Sequence, residues 1–172
     1  MSARFMTTNI WDELTEAARR SKKPAHIAVA YFGKGASKSR LVVDASEATV
    51  KAGLTHPKDL RRMQLRKNAI YSSHNLHAKV FAFDEAVFIG SANASKNATK
   101  VLQEAMVRVT DAAVKRAARS FINDLCLEPL GPKELKLLQS MYRSPRFVPG
   151  QSKKSGSKQR YSALRVWSYR GG

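Results

Sequence analysis

The sequence predicts a single-domain α/β sandwich with a central mixed β-sheet flanked by helices. Short runs rich in β-branched and aromatic residues alternate along the chain with segments of helical spacing, as is typical of this class. In addition, a chain of 172 residues is long enough for one domain with a substantial core, but not for two. We place the folded domain at residues 1–142 and a basic, flexible tail at residues 143–172.

The first half of the predicted domain interleaves helices and strands. A helix at residues 10–20 is expected from apolar side chains at helical spacing, namely Trp11, Leu14, Ala17 and Ala18. Strands follow in HIAVAYFG from His26 and in RLVVDAS from Arg40, separated by the basic loop GKGASKSR. Short helices at residues 48–52 and 57–67 then precede a third strand in AIYSS.

The second half begins with a predicted β-hairpin. LHAKVFAF and AVFIG are apolar strands, and Asp84 and Glu85 between them suit a turn. A strand within residues 101–110 and a final helix in GPKELKLLQSMY flank a helix at residues 111–127. We expect Asp111 to cap that helix and four apolar residues to face the core: Val114, Phe121, Ile122 and Leu125.

The hairpin gathers polar side chains suited to phosphate chemistry. His77 and Lys79 lie two positions apart and would share a strand face, and Gly90 would open a bend that brings Ser91 and Asn93 to the same end. An imidazole can attack phosphorus or protonate a leaving oxygen, while ammonium, amide and hydroxyl groups bind the non-bridging oxygens. These residue types do not form the carboxylate cage that Mg²⁺ prefers. We therefore predict metal-independent phosphoryl chemistry without a cofactor.

The pattern HxKxxxxD followed by GSxN resembles the HKD motif of the phospholipase D superfamily. The matching residues are His77, Lys79, Asp84, Gly90, Ser91 and Asn93. Glu104, eleven positions after Asn93, matches an acid found in related nucleases. Five residues separate Asp84 from Gly90, where the family pattern commonly has six.

The resemblance implies a two-step transfer through a phosphohistidine, in which a second histidine protonates the leaving group. Because the chain has one motif, it is similar to the single-motif HKD nucleases, which build one shared site across a homodimer. His77 would then be the nucleophile in one protomer and the acid and base in the other, with Lys79 and Asn93 as the phosphate clamp. Ser91 would support the clamp, and Glu104 would hydrogen-bond the imidazole. Asp84 would be structural.

Composition favours nucleic acid as the substrate. Lys and Arg total 31 against 13 acidic residues, which gives a formal net charge of +18. We expect DNA rather than RNA, bound with little sequence preference. The expected contacts are Lys34, Lys38, Arg40, Arg62 and Arg66 in the domain and Arg146, Arg160 and Arg165 in the tail. The tail has eight Lys or Arg and no acid, and it is equally compatible with a purely solubilising role.

Two other functions remain open: a noncatalytic nucleic-acid-binding protein and a phospholipase D-type lipid phosphodiesterase. The first ten residues lack an apolar leader segment and Cys126 is the sole cysteine, so we expect a cytoplasmic protein without stable membrane association. The leading hypothesis is a nonspecific, metal-independent endonuclease.

Overall fold

A computed structural model describes residues 2–29, 39–93 and 103–144. Seven strands in this part of the chain form one mixed sheet in the order β1-β7-β6-β5-β2-β3-β4. The strands are β1 Ala3–Met6, β2 His26–Val29, β3 Arg40–Val43, β4 Ala69–Ser72, β5 Lys79–Ala82, β6 Val87–Gly90 and β7 Met106–Val109. The helices are α1 Ile10–Arg20, α2 Glu47–Lys51, α3 Pro57–Leu65, α4 Ala112–Asp124 and α5 Pro132–Met141. The predicted α/β class with a mixed sheet is confirmed.

The strand directions distinguish the two ends of the sheet. β2, β3 and β4 are parallel, whereas β5, β6, β7 and β1 follow as antiparallel neighbours. Val29 at the end of β2 pairs with Lys79 at the start of β5, and Gly90 at the end of β6 pairs with Met106. We call this the carboxyl end of the sheet, because five strands end there and only β5 and β7 begin there.

Helices cover the two faces of the sheet unequally. On one face, α1, α3 and α5 bury a large core, whose fully buried side chains include Phe88, Leu41, Leu60, Ile70 and Leu135. On the other face, α4 packs Ala118 and Ile122 against Ala28, Val42 and Val80 of the sheet. Burial of this apolar surface on both sides is the main force that holds the sheet between its helices.

Several predicted boundaries need correction. Strand β5 begins at Lys79 instead of Leu76, so His77 precedes the strand. Helix α4 begins after Asp111, whose carboxylate accepts from the amides of Ala113 and Val114, as expected. However, Val114 and Phe121 are 36% and 42% exposed, because Ala118 and Ile122 define the buried stripe. Strand β1 was not predicted, since ARFM has only one buried side chain and depends on pairing with β7.

The predicted tail at residues 143–172 lies almost wholly outside the described residues. Across the residues that are described, no helix is both long and apolar enough to cross a membrane.

Candidate active site

The residues of the HKD-like pattern divide between the two ends of the sheet. His77, Lys79, Ser91, Asn93 and Glu104 all lie at or next to the carboxyl end, through the start of β5, the end of β6 and the segment before β7. Asp84 lies in the turn between β5 and β6 at the opposite end. The structure therefore brings the five predicted catalytic residues to one end of the sheet and separates Asp84 from them.

Lys79 is a buried cation at the carboxyl end. Its side chain is 8% exposed, and Nζ donates a hydrogen bond to the carbonyl oxygen of His77 at 2.6 Å. Burial lowers the pKa of Lys79, and the nearby Glu104 carboxylate acts in the opposite direction. An ammonium has three donors, so this one bond leaves Lys79 able to bind a phosphate oxygen as well.

His77 is exposed and lies two residues before the strand. Its ring makes no hydrogen bond within the described residues, so the imidazole is open to a ligand, while its carbonyl oxygen is held by Lys79. The preceding residue, Leu76, is 9% exposed and packs in the core beneath α4. The chain thus emerges from the core just before His77 and returns to it at Lys79.

Ser91 and Glu104 form a pair that closes the end of the β6–β7 ladder. The Ser91 hydroxyl donates to the Glu104 carboxylate and accepts from the Ala105 amide at 3.0 Å, and the Ser91 amide donates to the Ala105 carbonyl at 2.9 Å. The single hydroxyl hydrogen of Ser91 is therefore engaged. Glu104 bonds Ser91 here and makes no bond to an imidazole among the described residues, so its predicted role beside His77 stays a prediction.

Gly90 allows this close approach of β6 and β7. A Cβ atom on Gly90 would lie 2.1 Å from the Ala105 carbonyl oxygen and 2.7 Å from the Met106 Cα. Only glycine fits at this distance from backbone atoms. A cleft of about 540 Å³ opens beside the pair, lined by Thr7, Ser91, Gln103, Glu104 and Ala105.

Asn93 is the last residue of the described range 39–93, and its side-chain amide oxygen is buried. Within the described part of the chain that oxygen has no hydrogen-bond partner. The NH₂ group of the same amide is the part that could donate to a phosphate oxygen, so the predicted clamp role of Asn93 stays a prediction.

Asp84 ties the hairpin turn to its surroundings. Its carboxylate accepts from the amides of Lys22 and Lys23 at 2.8 and 2.9 Å and from Arg119 at 3.4 Å. Although partial burial opposes the charge, these donors hold the pKa of Asp84 below its usual value. These contacts agree with the structural role expected for Asp84.

Among the described residues, the predicted nucleic-acid contacts do not form one cluster with the site. Arg40 begins β3 at the end of the sheet opposite Lys79, and its guanidinium donates to the Asn123 side chain at 2.7 Å. Arg62 pairs with Asp59 at 2.8 Å, and Arg66 follows the end of α3. Lys34, Lys38, Arg146, Arg160 and Arg165 lie outside the described residues.

Two further observations bear on ligands. In the described part of the chain, no three His, Cys, Asp or Glu side chains are arranged to hold a metal ion. A larger groove of about 660 Å³ lies along α1, β1 and β7, but it contains the Arg4–Glu13 ion pair at 2.6 Å and none of the proposed catalytic residues. The carboxyl end of the sheet is therefore the candidate active site.

Comparison with known proteins identifies the family of the chain. The family described as the cardiolipin synthase, PLD-like domain matches residues 5–125, which is well over half of the chain. The chain belongs to this PLD-like domain family. A comparison with curated proteins finds no match.

Solved structures show that the PLD-like domain fold is shared. NucT from Helicobacter pylori matches with a TM-score of 0.61 and 16% identity, over 76% of this chain and 98% of its own. The phospholipase D family member Nuc from Salmonella typhimurium matches with a TM-score of 0.58 and 15% identity, over 75% and 96% of the two chains. Phosphatidylserine synthase from Haemophilus influenzae Rd KW20 has a TM-score of 0.60 and 16% identity, over 80% of this chain and 42% of that one.

Sequence reasoning missed one polar residue of this PLD-like domain. Asp44, immediately after β3, is 6% exposed and accepts a hydrogen bond from the Asn75 amide in the loop that precedes His77. No motif marks it, but its position directly after a buried strand at the carboxyl end is a signal that sequence analysis can use.

Proposed function

We propose that this protein is a metal-independent phosphodiesterase that cleaves nucleic acid as a nonspecific endonuclease. The observation that carries the proposal is an exposed His77 imidazole whose backbone is held by the buried ammonium of Lys79 at 2.6 Å. An imidazole that can attack phosphorus and an ammonium that can bind a phosphate oxygen, close together in the chain, support this proposal. Belonging to the PLD-like domain family supports the same class of chemistry.

The proposed reaction has two balanced steps. His77 attacks phosphorus, a bond forms between nitrogen and phosphorus, and the bond to the leaving oxygen breaks as a second imidazole donates a proton to that oxygen. The second imidazole then takes a proton from water, whose oxygen attacks phosphorus and displaces His77. Lys79 and Asn93 bind the non-bridging oxygens in both steps, where negative charge accumulates.

The second imidazole would come from His77 of the partner subunit in a homodimer. An uncharged surface next to the site supports self-association. Phe5, Val107 and Ile89 are aligned across β1, β7 and β6 by their register, and we call them the apolar strip. Phe5 is 70% exposed and Ile89 is 41% exposed. Gly90 and Ser91 directly follow Ile89, so a two-fold contact at this strip would bring two copies of the site close together.

Nucleic acid is the substrate class that the charge favours. A net charge of +18 attracts any polyanion, and a nucleic acid offers a repeating line of phosphodiesters. A lipid substrate is the second candidate, because a phosphatidylserine synthase shares the fold. The likeness to the synthase is one of fold alone, whereas the excess of basic residues favours a polyanionic substrate.

The test is a cleavage assay with single-stranded DNA, double-stranded DNA and RNA in the presence of EDTA. We expect the wild type and His74→Ala to cleave and His77→Ala to lose about 10³-fold or more in rate. His74 is the matched control, because it is an exposed histidine three residues before His77.

Each other outcome has a definite meaning. Cleavage that stops in EDTA would contradict the metal-independent route, and full activity of His77→Ala would contradict the nucleophile. Salt-dependent binding without cleavage would indicate a noncatalytic binding protein. Headgroup release from phosphatidyl vesicles without nucleic-acid cleavage would indicate a lipid phosphodiesterase.

A further inference from the structure

Asp44 is a buried carboxylate at the carboxyl end of the sheet. It directly follows β3, and it is 6% exposed. Its Oδ1 atom accepts from the amide of Ser46, the N-cap of α2, at 3.0 Å and from the hydroxyl of Thr49, within α2, at 3.3 Å. Its Oδ2 atom accepts from the Asn75 amide at 3.1 Å. The two oxygens therefore serve two different parts of the chain.

The bond to Asn75 holds the loop that leads to His77. Asn75 has a left-handed backbone with φ 59°, a conformation that L-residues adopt at a cost and that needs support from its surroundings. A second bond, from the Ser73 amide to the Val43 carbonyl at 2.9 Å, fastens the same loop to the end of β3. Leu76 then enters the core beneath α4. The backbone immediately before His77 is thus fixed from the β3 side.

The other side of His77 is fixed by Lys79. Because Lys79 Nζ bonds the His77 carbonyl at 2.6 Å, the short segment between Asn75 and Lys79 is held at both ends. The exposed imidazole has no hydrogen bond of its own among the described residues, so the direction in which it emerges depends on this backbone. Nucleophiles lose efficiency steeply when they are displaced by about 1 Å.

We propose that Asp44 is a positioning residue, whose carboxylate fixes the Asn75 turn and thereby orients the His77 imidazole for attack on a phosphodiester. The inference rests on the proposed function of His77, but its structural part is independent of that function. A buried carboxylate is costly unless its oxygens are satisfied. The Oδ1 contacts serve the local turn and α2, and Oδ2 has only the Asn75 amide as a described partner.

The variant Asp44→Asn separates the two roles. The amide oxygen of asparagine can still accept from Ser46 and Thr49, which preserves the turn into α2. Its NH₂ group then faces the Asn75 amide, and two donors oppose each other. The loop before His77 should be released while the fold around α2 remains.

Thr55→Val is the matched control. The Thr55 hydroxyl donates to the main-chain carbonyl of Asp44 at 2.5 Å, and Thr55 is 3% exposed. Valine has nearly the same shape and removes one buried hydrogen bond at the same residue, but it leaves the contact between the carboxylate and Asn75 intact. Any effect that comes from weakening the end of β3 in general should appear in both variants.

The experiment compares full-length wild type, Asp44→Asn and Thr55→Val with two measurements. Without substrate, amide hydrogen exchange at Asn75 and the ring NMR signals of His77 report on the loop. With bis(4-nitrophenyl) phosphate, kcat and KM report on catalysis. We expect Asp44→Asn to exchange the Asn75 amide faster, to broaden the His77 ring signals and to lower kcat by about 10-fold to 100-fold at unchanged KM. Thr55→Val should match the wild type in Asn75 exchange, His77 ring signals, kcat and KM.

The inference is overturned if Asp44→Asn keeps wild-type kcat and Asn75 exchange, or if Thr55→Val loses kcat to the same extent. If Asp44→Asn does not fold, Asp44→Glu replaces it, because the longer carboxylate keeps the acceptor but displaces the loop. A wild-type kcat in Asp44→Glu is then the overturning result. If no diester is cleaved by any variant, the proposed function fails, and the exchange and ring signals alone decide whether Asp44 positions His77.

Discussion

Lys79 is the residue at which the proposed chemistry and the stability of the fold can be tested against each other. Lys79 is 8% exposed, so its ammonium has lost most of its hydration. Burial lowers the pKa of Lys79 for that reason. Its single hydrogen bond to His77 and the nearby Glu104 compensate only in part. A phosphate oxygen would be a second acceptor for the Lys79 ammonium.

We therefore expect Lys79→Met to lower cleavage by about 10²-fold to 10³-fold without lowering the free energy of unfolding. Methionine fills a similar volume without the cost of a buried charge. Because the folded-state pKa of Lys79 lies below its ordinary value of 10.5, the unfolded chain holds more protons between those two pKa values. The contribution of Lys79 to stability should accordingly rise with pH through that alkaline interval, and Lys79→Met should remove this rise.

Urea unfolding at neutral and alkaline pH, together with the cleavage assay, checks this expectation. Lys115→Met is the control, because Lys115 also donates from its ammonium to a main-chain carbonyl, that of Asp84 at 3.1 Å, at the other end of the sheet. It should leave cleavage unchanged. A loss of more than about 2 kcal/mol in Lys79→Met would show that the ammonium stabilises the fold and would contradict this expectation.

The hairpin of β5 and β6 is the element on which the site is built, and Gly90 is its most constrained position. An added Cβ would meet the Ala105 carbonyl oxygen at 2.1 Å and the Met106 Cα at 2.7 Å, both backbone atoms of the neighbouring strand segment. Neither can move without opening the β6–β7 ladder. The Ser91–Glu104 pair lies on the same two segments and would be displaced with them.

Gly90→Ala should cost about 1–3 kcal/mol or more in unfolding free energy and lower cleavage as well. Gly131→Ala is the comparison, since a Cβ there would meet only the Glu134 carboxylate at 2.5 Å, the far end of a flexible side chain. Gly131→Ala should therefore be tolerated. Equal urea midpoints for the two variants would contradict the requirement for glycine at position 90.

The elements that sequence predicted well are those whose pattern is local. The hairpin, α1 and the N-cap of α4 were predicted because alternation, helical spacing and a capping Asp111 are encoded in neighbouring residues. β1 was missed because its pairing with β7 joins residues about a hundred positions apart. Asp44 was missed for the same reason, since its partner Asn75 is 31 residues away.

At the scale of the whole molecule, net charge and apolar surface have opposite effects on self-association. Each chain carries a net charge of +18, so two copies repel, and the repulsion is weaker at high salt. A surface without charge is therefore better suited to the proposed self-association than a basic one. The apolar strip of Phe5, Val107 and Ile89 has this property, and its row continues into Val80 of the core beneath α4. Salt should strengthen the proposed dimer while it weakens nucleic-acid binding.

Phe5→Lys tests this arrangement, with Leu65→Lys as the control. The two side chains are 70% and 75% exposed, so neither substitution removes much buried surface, but Leu65 ends α3 and lies away from the strip. We expect sedimentation to find Phe5→Lys monomeric at concentrations where the wild type and Leu65→Lys are dimeric, because a lysine pair facing across a two-fold contact is both desolvated and repulsive. Phe5→Lys should also lose cleavage, since the site of a monomer would hold only its own His77 imidazole, whereas the proposed reaction needs two. A monomeric Phe5→Lys that cleaves at the wild-type rate would show that one His77 is sufficient, and a dimeric one would place the contact elsewhere.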